Sequence, residues 1–215
     1  MKPVLNYHDA ILYPSDISLL RCDHEWLNDA CIHFYLTVLQ QQHPKVKFMD
    51  PSVVTFLMHQ CDPEELMDFT KTFDTDYTMF VIPINDCHGN SAAWRNVGAG
   101  SHWSLLLIIP GEGIYHVDSF AGSNRKAAHA VATKMSKIIE PNSDTLSVME
   151  LLTPQQRNHY DCGLYVLAAA EVLANATISS IQSLEKILNE DPILSSNVGS
   201  RMRAKILERV VEIIK

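Results

Sequence analysis

Positive charge is scarce in this chain. Its 215 residues include 17 lysines and arginines against 25 aspartates and glutamates, a formal net charge of −8, and the acidic excess is spread along the sequence. That balance disfavours nucleic acid and anionic membrane as principal partners, since both would repel it. A basic or mixed-charge protein partner suits it better. Also missing is any apolar run near the roughly 20 residues that a membrane-spanning helix needs. The opening MKPVLNYHDAILYPSDISLL has no uninterrupted apolar segment behind a basic start, so it does not read as a secretory signal. There is no C-x-x-C pair. The five cysteines, at 22, 31, 61, 87 and 162, form an odd set that points to reduced thiols inside a cell, in the cytoplasm or the nucleus. A zinc site is not expected: His59 near Cys61, adjacent Cys87-His88 and His159 near Cys162 supply no four ligands at a recognised spacing. No repeat, low-complexity tract or Pro/Gly/Ser linker divides the sequence, so one domain over residues 1–215 is expected. At 47% hydrophobic composition, a chain of this length can bury about 70% of its unfolded surface.

What is present alternates between the two hydrophobic periods. Asn28 to Gln42 places Cys31, Phe34, Tyr35, Val38 and Leu39 at helical spacing behind a capping Asn28. A short strand over VKFMD follows, then a helix from Ser52 to Gln60. Asp62-Pro63-Glu64-Glu65 opens a third helix, reaching about Phe73, with a cap, a proline at its first position and an acid three residues after the cap. Tyr77 to Asn85 is β-rich and continuously apolar, a buried strand. Asp86 to Ser101 reads as a mobile surface loop, because small residues and glycines dominate it. HWSLLLII and IYHVDS then flank Pro110-Gly111-Glu112-Gly113 as two antiparallel strands. A helix from Arg125 to Glu140, a strand from Thr145 to Leu152, and helices over 162–176, 180–189 and 201–214 complete the reading. Helices towards both ends around a central, mostly antiparallel sheet make the class α+β.

The chemistry gathers around Cys162. Asp161 stands where the next helix needs a cap, so Cys162 falls among the first helical residues, where free N–H groups and the helix dipole favour an anion. A thiolate is the nucleophilic form of sulfur. Gly163 would leave the backbone uncrowded for an approaching carbonyl. Cys22, Cys31, Cys61 and Cys87 have no comparable support and read as small apolar or incidental thiols. A nucleophilic thiolate needs a base, and His102, emerging at a strand start after the glycine-rich loop, is the candidate. A three-residue turn of Pro110, Gly111 and Glu112 would pair Ile109 with Gly113 and Ser104 with Asp118. His102 and Asp118 would then share a sheet face as diagonal neighbours, about 7–8 Å apart at the backbone. A two-residue turn would break that relation. Gln156, six residues before the cysteine, could donate its amide to an oxyanion beside the Cys162 N–H.

His102-Trp103-Ser104-Leu105, then Asp118-Ser119, then Gln156-x-Asn158-x-x-Asp161-Cys162-Gly163, in that order, resembles the ubiquitin-like-protein-specific cysteine proteases, the Ulp/SENP family. Trp26-Leu27-Asn28-Asp29 matches the same family, so the resemblance runs from about Ser15 onwards. It implies a papain-like fold of the Ulp type, with Cys162 as nucleophile, His102 as base then acid, Asp118 orienting the imidazole and Gln156 in the oxyanion hole. It implies no metal and no cofactor. Trp26 and Trp103 would wall a narrow tunnel for a C-terminal Gly-Gly, and Asp29 would contact the same tail. The implied partner is a ubiquitin-like modifier and its conjugates, met by a monomer. Within the family the chain looks most like the deneddylase branch, by its compact length without a long N-terminal extension, by Tyr160, and by the small-residue loop leading into His102-Trp103. A SUMO-specific protease is the alternative. Trp94, Arg95 and His159 match no family role. Two further rivals are an effector acetyltransferase on a related fold, for which no clear basic cofactor pocket is present, and a silent binding module, against which the intact Cys, His, Asp and Gln positions argue.

Overall fold

In the computed structural model, which describes residues 2–89, 100–141, 147–176 and 180–215, the apolar middle of the chain builds the sheet that carries the site. Strands β1 (Leu5–Tyr7) and β2 (Ala10–Leu12) form a small hairpin, followed by helices α1 (Pro14–Arg21) and α2 (Asp29–Gln42). After them come β3 (Val46–Phe48), α3 (Pro51–His59), α4 (Pro63–Thr72), β4 (Met79–Asn85), β5 (Trp103–Ile109) and β6 (Gly113–Val117). Helix α5 (Arg125–Ile139), β7 (Val148–Glu150), α6 (Cys162–Ala174), α7 (Ile181–Glu190) and α8 (Val198–Ile214) complete the order.

The five-stranded sheet has the order β3-β4-β5-β6-β7. Its two central pairings are antiparallel and its two edge pairings parallel. The α+β class stands, with a mixed sheet whose centre matches the expected antiparallel pairing. Each parallel edge follows a helical crossover, α3–α4 before β4 and α5 before β7, as parallel neighbours require. Every residue of β4 and β5 is buried, because both sheet faces are covered. Val81, Leu105 and Leu107 face one core with residues of α2, α6 and α8, while Phe80, Ile82, Ile84, Leu106 and Ile108 face a second core with α3 and α5. Strand alternation thus distributes one apolar run between two cores.

Capping chemistry fixes the helix starts. Asn28 accepts from the Cys31 N–H at 3.0 Å, and Asp62 accepts from the Glu64 and Glu65 amides while the Glu65 carboxylate accepts from the Asp62 N–H. Helix α8 begins at Val198, three residues before the expected Arg201, behind Asn197 at φ +56°. The first hairpin and α1 lie where no element was read. Their turn, His8-Asp9, has φ +47° and +68° and no glycine.

The segment expected as a surface loop from Asp86 to Ser101 differs at its start. Asp86–Gly89 is a 3-10 turn with Cys87 and His88 buried; residues 90–99, with Trp94 and Arg95, lie outside the described residues, as do Thr145 and Leu146 of the strand expected over 145–152. His88 Nδ1 accepts from the Asn85 N–H at 3.2 Å and Nε2 meets Thr55 Oγ1 at 3.1 Å. Burial, then the neighbouring His59, pushes its pKa down to about 4, so it is a neutral core histidine. Among the described residues, no helix is long and apolar enough to cross a membrane, and no group of three or more His, Cys, Asp or Glu is placed to hold a metal ion.

Candidate active site

The turn between β5 and β6 decides whether His102 and Asp118 can meet. Ile109 pairs with Gly113 and Leu105 with Val117, so the turn has three residues and Ser104 continues the register opposite Asp118. Pro110 and Gly111 hold the two central positions of a turn closed by the Glu112 N–H on Ile109 O at 3.0 Å. Gly111 takes φ +75°, the positive value that a type II turn asks of its third residue. With that parity the two side chains share a face, and His102 Nε2 lies 2.6 Å from Asp118 Oδ1.

Asp118 is 3% exposed and receives the N–H groups of Phe120, at 3.0 Å, and of Asn124, at 3.1 Å. Burial raises its pKa, but the His102 hydrogen bond, these amides and the imidazole charge outweigh that and hold it below the usual carboxylate value. Because Nε2 is taken by Asp118, Nδ1 is the nitrogen left to face the sulfur of Cys162, which is among the influences on the His102 pKa. Burial is the largest influence on His102 and acts downward. The hydrogen bonds to Asp118 and Cys162, with their charges, reverse it and carry the pKa up to about 9.

Cys162 opens α6 and is 1% exposed. Asp161 does occupy the cap position, but its side chain makes no cap bond, which corrects the expectation. Its Oδ2 instead accepts from Asn158 Nδ2 at 2.8 Å, and its Oδ1 faces Arg203 at 3.9 Å. The carboxylate is therefore held away from the first amides of α6, where a developing oxyanion can use them. Gly163 also differs from expectation. A Cβ there would come within 3.2 Å of Ile32 Cδ1 and of Leu27 Cβ, so the glycine serves close helix packing rather than an approaching carbonyl.

Gln156 is tied to the strand end through its N–H on Ser119 O at 2.9 Å and through Ser119 Oγ donating to its Oε1 at 2.8 Å. Its Nε2 donates to Asn158 O at 2.7 Å, which leaves the second hydrogen of that amide for a ligand. A cavity of about 410 Å³ is lined by Trp26, His102, Asn124, Gln156, Phe120 and His159, among others. Trp26 is 43% exposed on its rim. Trp103 does not line this cavity. It is buried, with its indole N–H donating to Leu27 O at 3.0 Å, and so secures the segment that presents Trp26. Asp29 also lies off the cavity, exposed at the first turn of α2.

Sequence reasoning missed Phe120, whose ring stands edge-on to both His102 and His159 with centroids 6.1 Å apart in each case. It also missed Arg203. This buried arginine donates to Leu19 O, at 2.6 Å, and to Glu25 O, and faces Asp161. A signal existed: Arg203 sits beside Met202 on the face of α8 that buries Ile206 and Val210, where an unpaired charge would be costly. Gly199, on the same helix, lies directly beneath the Asp161 carboxylate, and a Cβ there would overlap it. Gly199→Ala is therefore expected to cost about 1–3 kcal/mol and to lower kcat several-fold, read by thermal melting and by initial rates of the folded protein.

Residues 25–214 match the Ulp1 protease family, C-terminal catalytic domain. The chain belongs to this family. Human sentrin-specific protease 8 is 36% identical to it over 80% of this chain and 82% of that protein. The Arabidopsis thaliana NEDD8-specific protease 1 is 33% identical over 79% of this chain and 74% of the relative. Among solved structures, the C-terminal Ulp1 protease domain in complex with SMT3, the yeast ortholog of SUMO, superposes with a TM-score of 0.69, covering 100% of this chain and 89% of that one at 22% identity. That likeness concerns the fold. This Ulp-family chain is a cysteine protease, with its sheet and helices arranged as in that domain.

Proposed function

We propose that this protease is a deneddylase, cleaving after the C-terminal Gly-Gly of the NEDD8 modifier both in its precursor and in its conjugates. The observation that carries the chemistry is the contact of one imidazole with a buried carboxylate, at 2.6 Å, and with the Cys162 sulfur. The choice of modifier is supported by relatives at 33–36% identity named for NEDD8 or as sentrin-specific proteases. A reduced setting, cytoplasmic or nuclear, belongs to the same proposal and is supported by five free cysteines.

The reaction follows from the positions. Cys162 sulfur, as thiolate beside the protonated His102, attacks the carbonyl carbon after the second glycine, and the carbonyl electron pair moves onto oxygen. The spare Gln156 Nε2 hydrogen and the Cys162 N–H stabilise that oxygen. The tetrahedral intermediate collapses, the C–N bond breaks, and the departing amine takes its proton from His102. The now neutral imidazole removes a proton from water, the hydroxide attacks the thioester, and the thiolate is released with His102 again protonated. Since Cys162 is 1% exposed, only a tail without side chains can bring its carbonyl to the sulfur, which supports a Gly-Gly substrate. Trp26 would cover that tail from the rim, and Trp103 would hold the Trp26 segment from beneath.

A protonated His102 is required for expulsion of the amine, so kcat/KM is expected to fall as pH rises through about 9. A stopped rate series from pH 6 to 10.5 reads this directly, and a limb near pH 7 would contradict the geometry. The substrate is tested with C-terminally activated probes of NEDD8, SUMO and ubiquitin, with Cys162→Ser as control. NEDD8 is expected to label at least about 10-fold faster than either other probe. Faster labelling by SUMO or ubiquitin overturns the deneddylase reading, and transfer of acetyl groups from acetyl-CoA would overturn the protease reading.

A further inference from the structure

Behind the triad lies a second set of polar groups that the mechanism leaves unused. Ser104 in β5 and His116 in β6 are fully buried, and Asn124, just before α5, is 1% exposed. Polar side chains sealed in a core carry a desolvation cost that only pairing offsets. They are paired in a line. Glu150 Oε2 meets His116 Nδ1 at 2.9 Å, and His116 Nε2 meets Ser104 Oγ at 2.9 Å. Asn124 Nδ2 lies 3.0 Å from Ser104 Oγ, 3.1 Å from His102 O and 3.3 Å from Ile84 O.

Donor and acceptor roles give this line a direction. The carbonyl oxygens of Ile84 and His102 can only accept, so the NH₂ end of Asn124 must face them. The two hydrogens of that amide are shared among three oxygens, these carbonyls and Ser104 Oγ, while Glu150 accepts from the His116 Nδ1–H, which leaves Nε2 to take the Ser104 hydrogen. The outer end is the Glu150 carboxylate on edge strand β7, with Arg125 Nε at 3.4 Å. Ser104, His116 and Glu150 repeat the hydroxyl–imidazole–carboxylate order of a serine hydrolase. Ser104 has no exposed surface, so no substrate can reach it, and the set acts on its neighbours instead.

Asn124 joins that set to the triad. Its backbone N–H donates to Asp118 Oδ2 while its side chain holds the His102 carbonyl. It occupies the cap position of α5 without capping it, and its Oδ1 is buried with no hydrogen-bond partner among the described residues. An amide that forgoes its cap while its nitrogen meets three oxygens is kept for its donors. We propose that Asn124 is a positioning residue that fixes the backbone of His102 relative to Asp118, and that Ser104, His116 and Glu150 brace it from behind. The proposal rests on the cysteine-protease reading and not on the choice of modifier.

The test uses the full chain carrying Asn124→Ala or Ser104→Ala. The readouts are melting temperature, kcat and KM on a fluorogenic modifier substrate, and the rate of iodoacetamide alkylation at Cys162 at pH 7, followed by peptide mass. Asn124→Ala is expected to lower kcat about 10- to 100-fold with KM within about 2-fold of wild type. It is also expected to slow alkylation of Cys162 about 2- to 10-fold as the imidazole that faces the sulfur loosens from Asp118. The backbone N–H on Asp118 survives in this variant, so the effect is partial. Ser104→Ala, which removes one hydroxyl, shifts both readouts the same way by less, and it decides alone should Asn124→Ala fail to fold. Folded variants with wild-type kcat and alkylation rate, or with losses no larger than their unfolded fraction, overturn the proposal. Alkylation needs no modifier, so a wild-type protein that alkylates at Cys162 yet cleaves no probe would count against the function and leave this test standing.

Discussion

Cys162→Ser is expected to lower turnover by a factor of at least about 10⁴ while the protein stays folded. The replacement changes one atom, in a side chain that is 1% exposed, so the packing around it is nearly preserved. What changes is the acidity. Serine must surrender its proton during attack, and among the described residues the base that faces it is an imidazole whose own proton is held up to about pH 9 by Asp118 and by the sulfur. Losing the sulfur removes part of that hold, but the remaining hydrogen bond and charge of Asp118 stay in place. An imidazole that holds its own proton so firmly is poorly placed to take one from a hydroxyl, which is far less acidic than a thiol. Single-turnover cleavage of a modifier fusion, with melting curves beside it, reads the outcome. Residual turnover above about 1% of wild type would show that the sulfur is not the attacking atom.

The second large effect is expected at Asp118. Asp118→Asn preserves shape but removes the charge that faces His102 at 2.6 Å, and kcat is expected to fall by about 10³–10⁴, the scale measured when an orienting carboxylate becomes an amide. The pH dependence separates this from simple misfolding. His102 has its pKa raised from 6.5 to about 9 in the folded protein, so its contribution to stability is complete below about 6.5 and is lost as pH rises through about 9. Asp118 has its pKa lowered, so its contribution is present above the unfolded value near 3.8 and is lost as pH falls through the lower, folded one. The pair's stabilisation is therefore complete between roughly pH 4 and pH 6.5 and declines as pH rises through about 9. In Asp118→Asn, urea denaturation across this range is expected to give a flatter stability profile. A variant with the wild-type profile and wild-type kcat would remove Asp118 from the site.

Much of this site could be read from the sequence because its parts are locally determined. Pro110-Gly111 prescribes a turn whose length fixes strand parity, and parity places His102 and Asp118 on one face. A helix that starts at Cys162 follows from the switch to an apolar Ala-rich pattern. Other features depend on partners far along the chain. Asn124 looks like an ordinary helix cap until Ser104 and the His102 carbonyl are brought beneath it. Asp161 has the residue type of a cap, but Asn158 and Arg203 draw its carboxylate elsewhere. The parallel edges of the sheet needed the crossovers to be placed in three dimensions. The first hairpin escaped because His8-Asp9 takes two positive φ values without the Asn-Gly or Asp-Gly signature of such turns. Pro14 and Asp16 were a legible start for α1, with the Asp16 carboxylate accepting from the Tyr13 N–H at 2.7 Å, though Tyr13 is not a usual cap residue.

Arg203 binds carbonyl oxygens on both Leu19 and Glu25 and faces Asp161 from a helix that follows every triad member in the chain. During vectorial synthesis, Cys162, His102, Asp118 and Gln156 all leave the ribosome before that guanidinium does. The bridge between the segment before the sulfur and the chain leading to Trp26 is thus supplied by a part of the sequence that emerges after both.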